Sequence, residues 1–231
     1  MNPLPSRDFY DQVASVYDQR YAYPSKLTAV QAAWLAKVCP RGPLLDLGTG
    51  TGRMLPALAR AGFLPVGLDC SPAMLAQARR QPSALLVRGD AGRGLPFAGG
   101  VFAAVIGLHA TLIHLSAPGE LEAVAAEARR VLRPGGVLVL ELPHPRTYPA
   151  ANWPRVWREY QPGMSCRRVA PGLEEMRLDD AGGITTLVRA LTVADLKTWL
   201  TAFPRVELHP GFSGGRFRTD KGDIMVVCAW K

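Results

Sequence analysis

The stretch Leu44–Arg53, LLDLGTGTGR, limits what this chain can fold into more than any other. Apolar residues around one acid run into Gly48, Gly50 and Gly52, the pattern of a buried strand that breaks into a tight turn and enters a helix. Glycine is needed where the backbone takes positive φ or where a ligand lies directly against it, because a Cβ would fill that space. The turn therefore marks a nucleotide-type ligand. A dinucleotide site prefers G-x-G-x-x-G, whose third glycine lets the helix pack closely on the strand. Here the pattern is G-x-G-x-G, Arg53 takes the sixth position, and Asp46 lies two residues before the first glycine.

The residues that follow supply the rest of a ligand site. Val66–Leu68 reads as a second strand that ends in Asp69, with Ser71 as an N-cap and Pro72 at the favoured first helical position. An acid about 20 residues past the glycine turn, at the next strand tip, is placed to accept hydrogen bonds from both hydroxyls of an adenosine ribose. A plain helix-capping acid is the alternative. A third strand, Ala84–Arg88, closes in Gly89, Asp90 and Ala91. There a carboxylate can accept from an exocyclic amine while the Ala91 amide donates to a ring nitrogen, which together read adenine. Phe102–Leu108 is a fourth strand and opens into a loop from His109 to Leu115. A helix over about Pro118–Leu132 and the strand VLVLEL come next.

Five strands alternating with helices predict a doubly wound parallel sheet, with the ligand beyond the strand C-termini. Before that core, Phe9, Val13, Val16 and Tyr17 fall on one helical face, and Lys26–Val38 reads as a second helix. After it, periodicity fails from Pro143 to about Gly183, where Tyr148, Trp153, Trp157 and Tyr160 stand among prolines, glycines and arginines. An inserted cap fits that composition, with Arg146 and the aromatics shaping an acceptor pocket. Regular structure resumes at Thr185–Leu191, then a helix capped by Thr192, a strand near Val206–His209 and a last strand, IMVVCAW.

Composition narrows the class. The four cysteines form no C-x-x-C pair, and no metal site is read. No signal sequence opens the chain, and the longest apolar stretch, Val101–Leu115, is broken by His109, Thr111 and His114. A soluble, cytoplasmic protein with no membrane partner is expected, as a monomer or homodimer. The net charge of +8 raises nucleic acid as a partner. The arginines are scattered, without a basic block, so nucleic acid is the weaker reading.

In order and spacing, LLDLGTGTGR, GLDCSPAML, RGDA, FAAVIGLHATLIHL and LRPGGVLVLEL resemble the motifs of the class I S-adenosylmethionine (SAM) dependent methyltransferases. FYDQVASVYDQRY is similar to the tyrosine-containing lid of many small-molecule members. The likeness spans about residues 8–142, and more loosely the last helix and strand pair. It implies an α/β, Rossmann-like fold whose seven-stranded, mostly parallel sheet has the order 3-2-1-4-5-7-6 with strand 7 antiparallel. One domain over 1–231 is expected, with a helical lid over about 1–40 and the cap over about 143–190. The resemblance implies that Asp46, Gly48, Thr49 and Gly50 hold the methionine part of SAM and Asp69 its ribose. Cys70 and Met74 would pack on adenine, Asp90 and Ala91 would read its edge, and Leu108 and His109 would pass near the sulfonium. Tyr10 and Tyr17 would close the lid.

The expected activity is methyl transfer to an O, N or C atom of a small molecule, leaving S-adenosylhomocysteine. His109, His114 and His144 are the candidate bases, since histidine titrates near neutral pH. A buried, satisfied histidine or a simple substrate contact is the alternative for each. Two other readings stay open: RNA methylation, although GLHA stands where an adenine-methylating N/D-P-P-Y would, and a non-catalytic SAM-binding module.

Overall fold

The computed structural model describes residues 2–21, 25–82, 85–147, 158–161, 163–212 and 214–231. In chain order the helices are α1 (Ser6–Val13), α2 (Tyr17–Arg20), α3 (Ser25–Val38), α4 (Leu55–Arg60), α5 (Pro72–Ala78), α6 (Glu120–Val131) and α7 (Val193–Trp199). The strands are β1 (Pro43–Leu47), β2 (Leu64–Asp69), β3 (Leu85–Arg88), β4 (Phe102–Gly107), β5 (Leu132–Pro143), β6 (Arg158–Gln161), β7 (Met164–Ala170), β8 (Leu173–Leu178), β9 (Ile184–Arg189), β10 (Arg205–His209) and β11 (Ile224–Trp230).

Seven strands form one sheet in the order β10-β11-β5-β4-β1-β2-β3. The pairs from β3 to β5 are parallel, while β11 runs antiparallel to both β5 and β10. This is the expected order, with β10 and β11 as the sixth and seventh strands. Adjacent residues of β1 point to opposite faces and enter different cores. Leu45 and Leu47 join Val124, Ala128 and Val131 of α6. Leu44 joins Ala32 and Leu35 of α3 and Leu58 of α4. Every residue of β4 is buried, as a central parallel strand covered on both faces must be. Each fully buried leucine contributes about 1.5–3 kcal/mol, so a one-residue slip in β1 would forfeit several such terms at once.

The N-terminal helix is shorter than its periodicity predicts. Phe9 and Val13 are buried, but α1 stops at Val13, a three-residue turn follows, and α2 starts at Tyr17. The turn breaks the 100° advance per residue, which leaves Val16 exposed at 44%.

The stretch read as aperiodic holds three strands, β6, β7 and β8, of a second, antiparallel sheet in the order β6-β7-β8-β9, whose last strand overlaps the regular segment read at Thr185–Leu191. β7 and β8 escape a periodicity search because charge pairs replace apolar residues across them. Arg167 pairs with Glu175 at 2.6 Å and Arg168 with Glu174 at 3.8 Å, in register. Tyr148, Trp153 and Trp157 lie outside the described residues, and of Tyr160 the strand alone is described. Long-range bonds fasten this sheet to the N-terminal segment and to the loop between β4 and α6. The Leu4 amide donates to the Thr185 carbonyl, the Arg20 guanidinium donates to the Gly163 carbonyl and pairs with Asp180, and Arg189 donates to the carbonyls of Leu115 and Ser116.

Candidate functional site

A cavity of about 780 Å³ opens beyond the C-terminal ends of β1, β2, β3 and β4. Its floor is the glycine turn. Gly48 has φ +63°, and a Cβ there would stand 2.2 Å from Thr111 Cγ2, so both the backbone conformation and the space require glycine. The Thr49 amide donates to the Leu68 carbonyl and fastens the turn to β2.

Two buried carboxyls face this floor. Asp69, at the tip of β2, accepts from the Gly50 amide at 2.8 Å and from the Ser71 amide at 2.9 Å, one on each oxygen. Burial pushes its pKa up, and those backbone bonds oppose the push. Each oxygen keeps a further lone-pair direction, so the group can still accept from two hydroxyls. Asp46 accepts from the Thr49 hydroxyl at 2.8 Å, and burial raises it to about 7. A buried acid of that kind is completed by a cation. At the third strand tip Asp90 accepts from the Gly92 amide at 3.0 Å and lies 3.3 Å from Arg93, closing the short helical turn that begins at Ala91. Ser71 caps α5 through the Met74 amide, and Met74 is buried in the cavity wall. Burial lifts the Cys70 thiol to about 12, which leaves it a protonated apolar contact.

The other end of the cavity is aromatic, with Arg53 beside it. Tyr10 and His114 share a hydrogen bond of 2.7 Å between the hydroxyl and Nε2. Burial raises Tyr10 and lowers His114 to about 4. Tyr17 packs edge-on against Tyr10, with the Arg53 guanidinium 5.5 Å from its ring centre. Burial first, and then Arg53, lower His109 to about 3. His109 and Ala110 are the non-glycine residues with positive φ among those described, at 52° and 61°. A left-handed conformation costs about 1–2 kcal/mol per residue, so neighbouring groups must hold this turn. Glu141 does so with its carboxylate on the His109 amide and its carbonyl on the Ala110 amide.

Tyr10, Tyr17, Asp46, Gly48, Thr49, Gly50, Asp69, Cys70, Met74, Asp90, Ala91, Leu108, His109 and His114 all line this one cavity. His144 and Arg146 do not. His144 is fully buried past β5, where Nε2 bonds the Arg218 carbonyl at 2.8 Å and Nδ1 accepts from the Arg146 amide. With both ring nitrogens engaged it braces the β5–β11 end and drops out as a base. Sequence reasoning missed Thr111, which fits the hole left by Gly48, and Glu141, hidden inside an apolar strand as its one acid. It also missed Asp11, whose carboxylate accepts from the Ser71 hydroxyl and the Ala73 amide and so pins α1 to the start of α5.

The chain is similar to known proteins. The methyltransferase-domain family matches residues 44–136. The dTDP-3-amino-3,4,6-trideoxy-alpha-D-glucopyranose N,N-dimethyltransferase of Streptomyces venezuelae is 32% identical over 203 residues, covering 84% of this chain and 81% of that protein. The chain spans only 48% and 62% of two other curated relatives that it matches. Among solved structures, Streptomyces venezuelae DesVI has a TM-score of 0.69 at 26% identity, covering 93% of this chain and 97% of that one. The CcbJ methyltransferase from Streptomyces caelestis has a TM-score of 0.79 over 96% and 97% of the two chains and, at 22% identity, shares the fold. By sheet order, glycine turn and these relatives, the chain belongs to the class I SAM-dependent methyltransferases.

Proposed function

We propose that this protein transfers a methyl group from SAM to a small-molecule acceptor, with the cavity residues named above as its binding set. The observation that carries the reading is the single cavity joining the glycine turn, Asp69 and Asp90 at one end to His109 and the Tyr10–His114 pair at the other. The donor set fits SAM. Asp46 lacks a full counter-charge and suits an ammonium group, Asp69 has acceptor capacity left for ribose hydroxyls, and Asp90 with Ala91 suits an adenine edge. When bound, SAM supplies an activated methyl on a sulfonium.

The protein's own contribution is alignment and exclusion of water. Holding donor and acceptor in line is worth roughly 7–11 kcal/mol of such a barrier. Tyr10 and Tyr17 on the N-terminal helices serve as the lid, and β6–β9 as the cap on the acceptor side. His109, kept neutral by burial and Arg53, can accept a hydrogen bond from an amine or hydroxyl of the acceptor. An amine on a sugar nucleotide is the acceptor class we favour, because the relative that aligns with 84% of the chain is named for one. RNA is disfavoured: the 18S rRNA (guanine-N(7))-methyltransferase of Bos taurus aligns with 29% of the chain. Among the described residues no helix is long and apolar enough to cross a membrane, and the four cysteines are free thiols. Both support a cytoplasmic location.

Incubation with methyl-labelled SAM and a metabolite extract, read by mass spectrometry, should give a labelled small molecule, and label in RNA alone would overturn the acceptor class. Calorimetry should show SAM binding; NAD binding without SAM binding would sink the reading. Asp69→Ala should weaken SAM binding about 100-fold, since two charge-assisted hydrogen bonds are worth about 3 kcal/mol.

A further inference from the structure

We propose that Arg53 ties the amino-acid end of the cofactor to the lid: its guanidinium takes the α-carboxylate of SAM while it holds Tyr17 and Tyr21, so that α2 closes over a cofactor that carries the carboxylate. This rests on the methyltransferase reading and gives the sixth residue of the glycine turn its work there. In LLDLGTGTGR the glycines give the backbone its left-handed course, and the residues between and after them send out side chains. Thr49 donates to Asp46 within the turn, whereas Thr51 and Arg53 reach the N-terminal segment. The Thr51 hydroxyl donates to Asp18 at 2.8 Å, and Arg53 Nη1 donates to the Tyr21 carbonyl at 3.2 Å. The same guanidinium lies 5.5 Å from the centre of the Tyr17 ring, which packs 4.8 Å from the ring of Tyr21. Glycine at this position would remove both contacts.

Charge assigns the other side of the bridge. A carboxylate entering this cavity meets Asp46 and Asp69 at the floor and needs a cation to offset them. Among the described residues, four arginines line the cavity. Arg7 is exposed and paired with Asp8, and Arg93 is exposed and paired with Asp90. Arg88 ends β3, two strands from Asp46 in the sheet and toward the adenine end. Arg53 is partly buried, and its charge is felt at Asp46, His109 and Glu141. It therefore stands at the end where Asp46 suits an ammonium group. An acid and a guanidinium together match the two charges carried by an amino-acid carbon, and the planar fork of arginine fits a carboxylate.

The test compares S-adenosylhomocysteine with its decarboxylated counterpart, which keeps the adenosine, the thioether and the amine. By calorimetry the wild type should bind the first at least about tenfold more tightly, and in Arg53→Gln that preference should shrink to about twofold or less. Hydrogen exchange at saturation with each ligand reads the lid. The Arg20 and Tyr21 amides, bonded to the Val16 and Tyr17 carbonyls, should slow at least about fivefold more under S-adenosylhomocysteine. That difference should vanish in Arg53→Gln. Equal slowing by the two ligands in the wild type would overturn the proposal, and so would a preference that Arg53→Gln retains. If the glutamine variant does not fold, Arg53→Lys keeps the charge without the fork: its preference should fall at least about threefold, and full retention would overturn the proposal. A wild type that binds both ligands alike sinks this proposal alone, whereas one that binds neither sinks the methyltransferase reading with it.

Discussion

The floor of the cavity and the small antiparallel sheet are held by opposite means. In the floor, most partners are close in sequence or are backbone groups, such as Thr49 on Asp46, Ser71 on Met74 and the Gly50 amide on Asp69, with Asp11 and Asp18 added from the N-terminal helices. In the small sheet, the bonds that matter reach across the chain. Leu4 meets Thr185, Arg20 meets Gly163, and Arg189 meets Leu115 and Ser116. The floor is written largely into turns, whereas the small sheet is attached in good part by two arginine side chains that can be exchanged singly. The difference also predicts unequal responses to damage.

The largest effect belongs to the floor. Gly48→Ala forces a left-handed alanine into Thr111, and should cost about 3 kcal/mol or more, a fall in Tm of roughly 10 °C by thermal unfolding. Adding Thr111→Ser removes Cγ2 and should recover part of that loss. Full retention of Tm in the single variant would show that the floor is softer than the contrast requires.

Cutting a long-range tie should be milder and local. Arg189→Ala loses two charge-assisted bonds to carbonyls, about 2 kcal/mol. Hydrogen exchange should then speed up in β7–β9 by about 30-fold while β1 and β4 amides keep their rates. Equal loosening of both sheets would erase the contrast.

The smallest effect sharpens the account of the floor. Asp46 has a folded pKa raised to about 7, above its unfolded value of 3.8. Its proton therefore favours the folded state: the contribution is fully present below 3.8 and is lost as pH rises through 7. A bound ammonium needs the carboxylate, so SAM affinity should rise about eightfold between pH 6 and 7.5 by calorimetry. Asp46→Asn should flatten that profile.

The same contrast explains what was legible in the sequence. The five parallel strands followed from glycines, acids and apolar runs at fixed spacings, the full strand order came from the family those motifs resemble, and fourteen of the fifteen residues proposed for the site line one cavity. His144 was misplaced because a histidine after a strand looks the same whether it faces a cavity or braces a neighbouring segment. The small sheet was hidden by Arg167, Arg168, Glu174 and Glu175, which satisfy one another across strands and so remove the alternation a strand usually shows. Glu141 was concealed because its partners, Gln31 and His109, are distant in sequence. Only a tertiary structure reveals that they meet.

The first twenty residues touch both regions. Asp11 and Asp18 reach Ser71 and Thr51 at the floor, while Leu4 and Arg20 hold the small sheet. Such a segment makes the two halves thermodynamic partners. If SAM orders this segment, the free energy of that ordering is no longer spent or gained by the acceptor. Each ligand must then change the other's dissociation constant by the same factor.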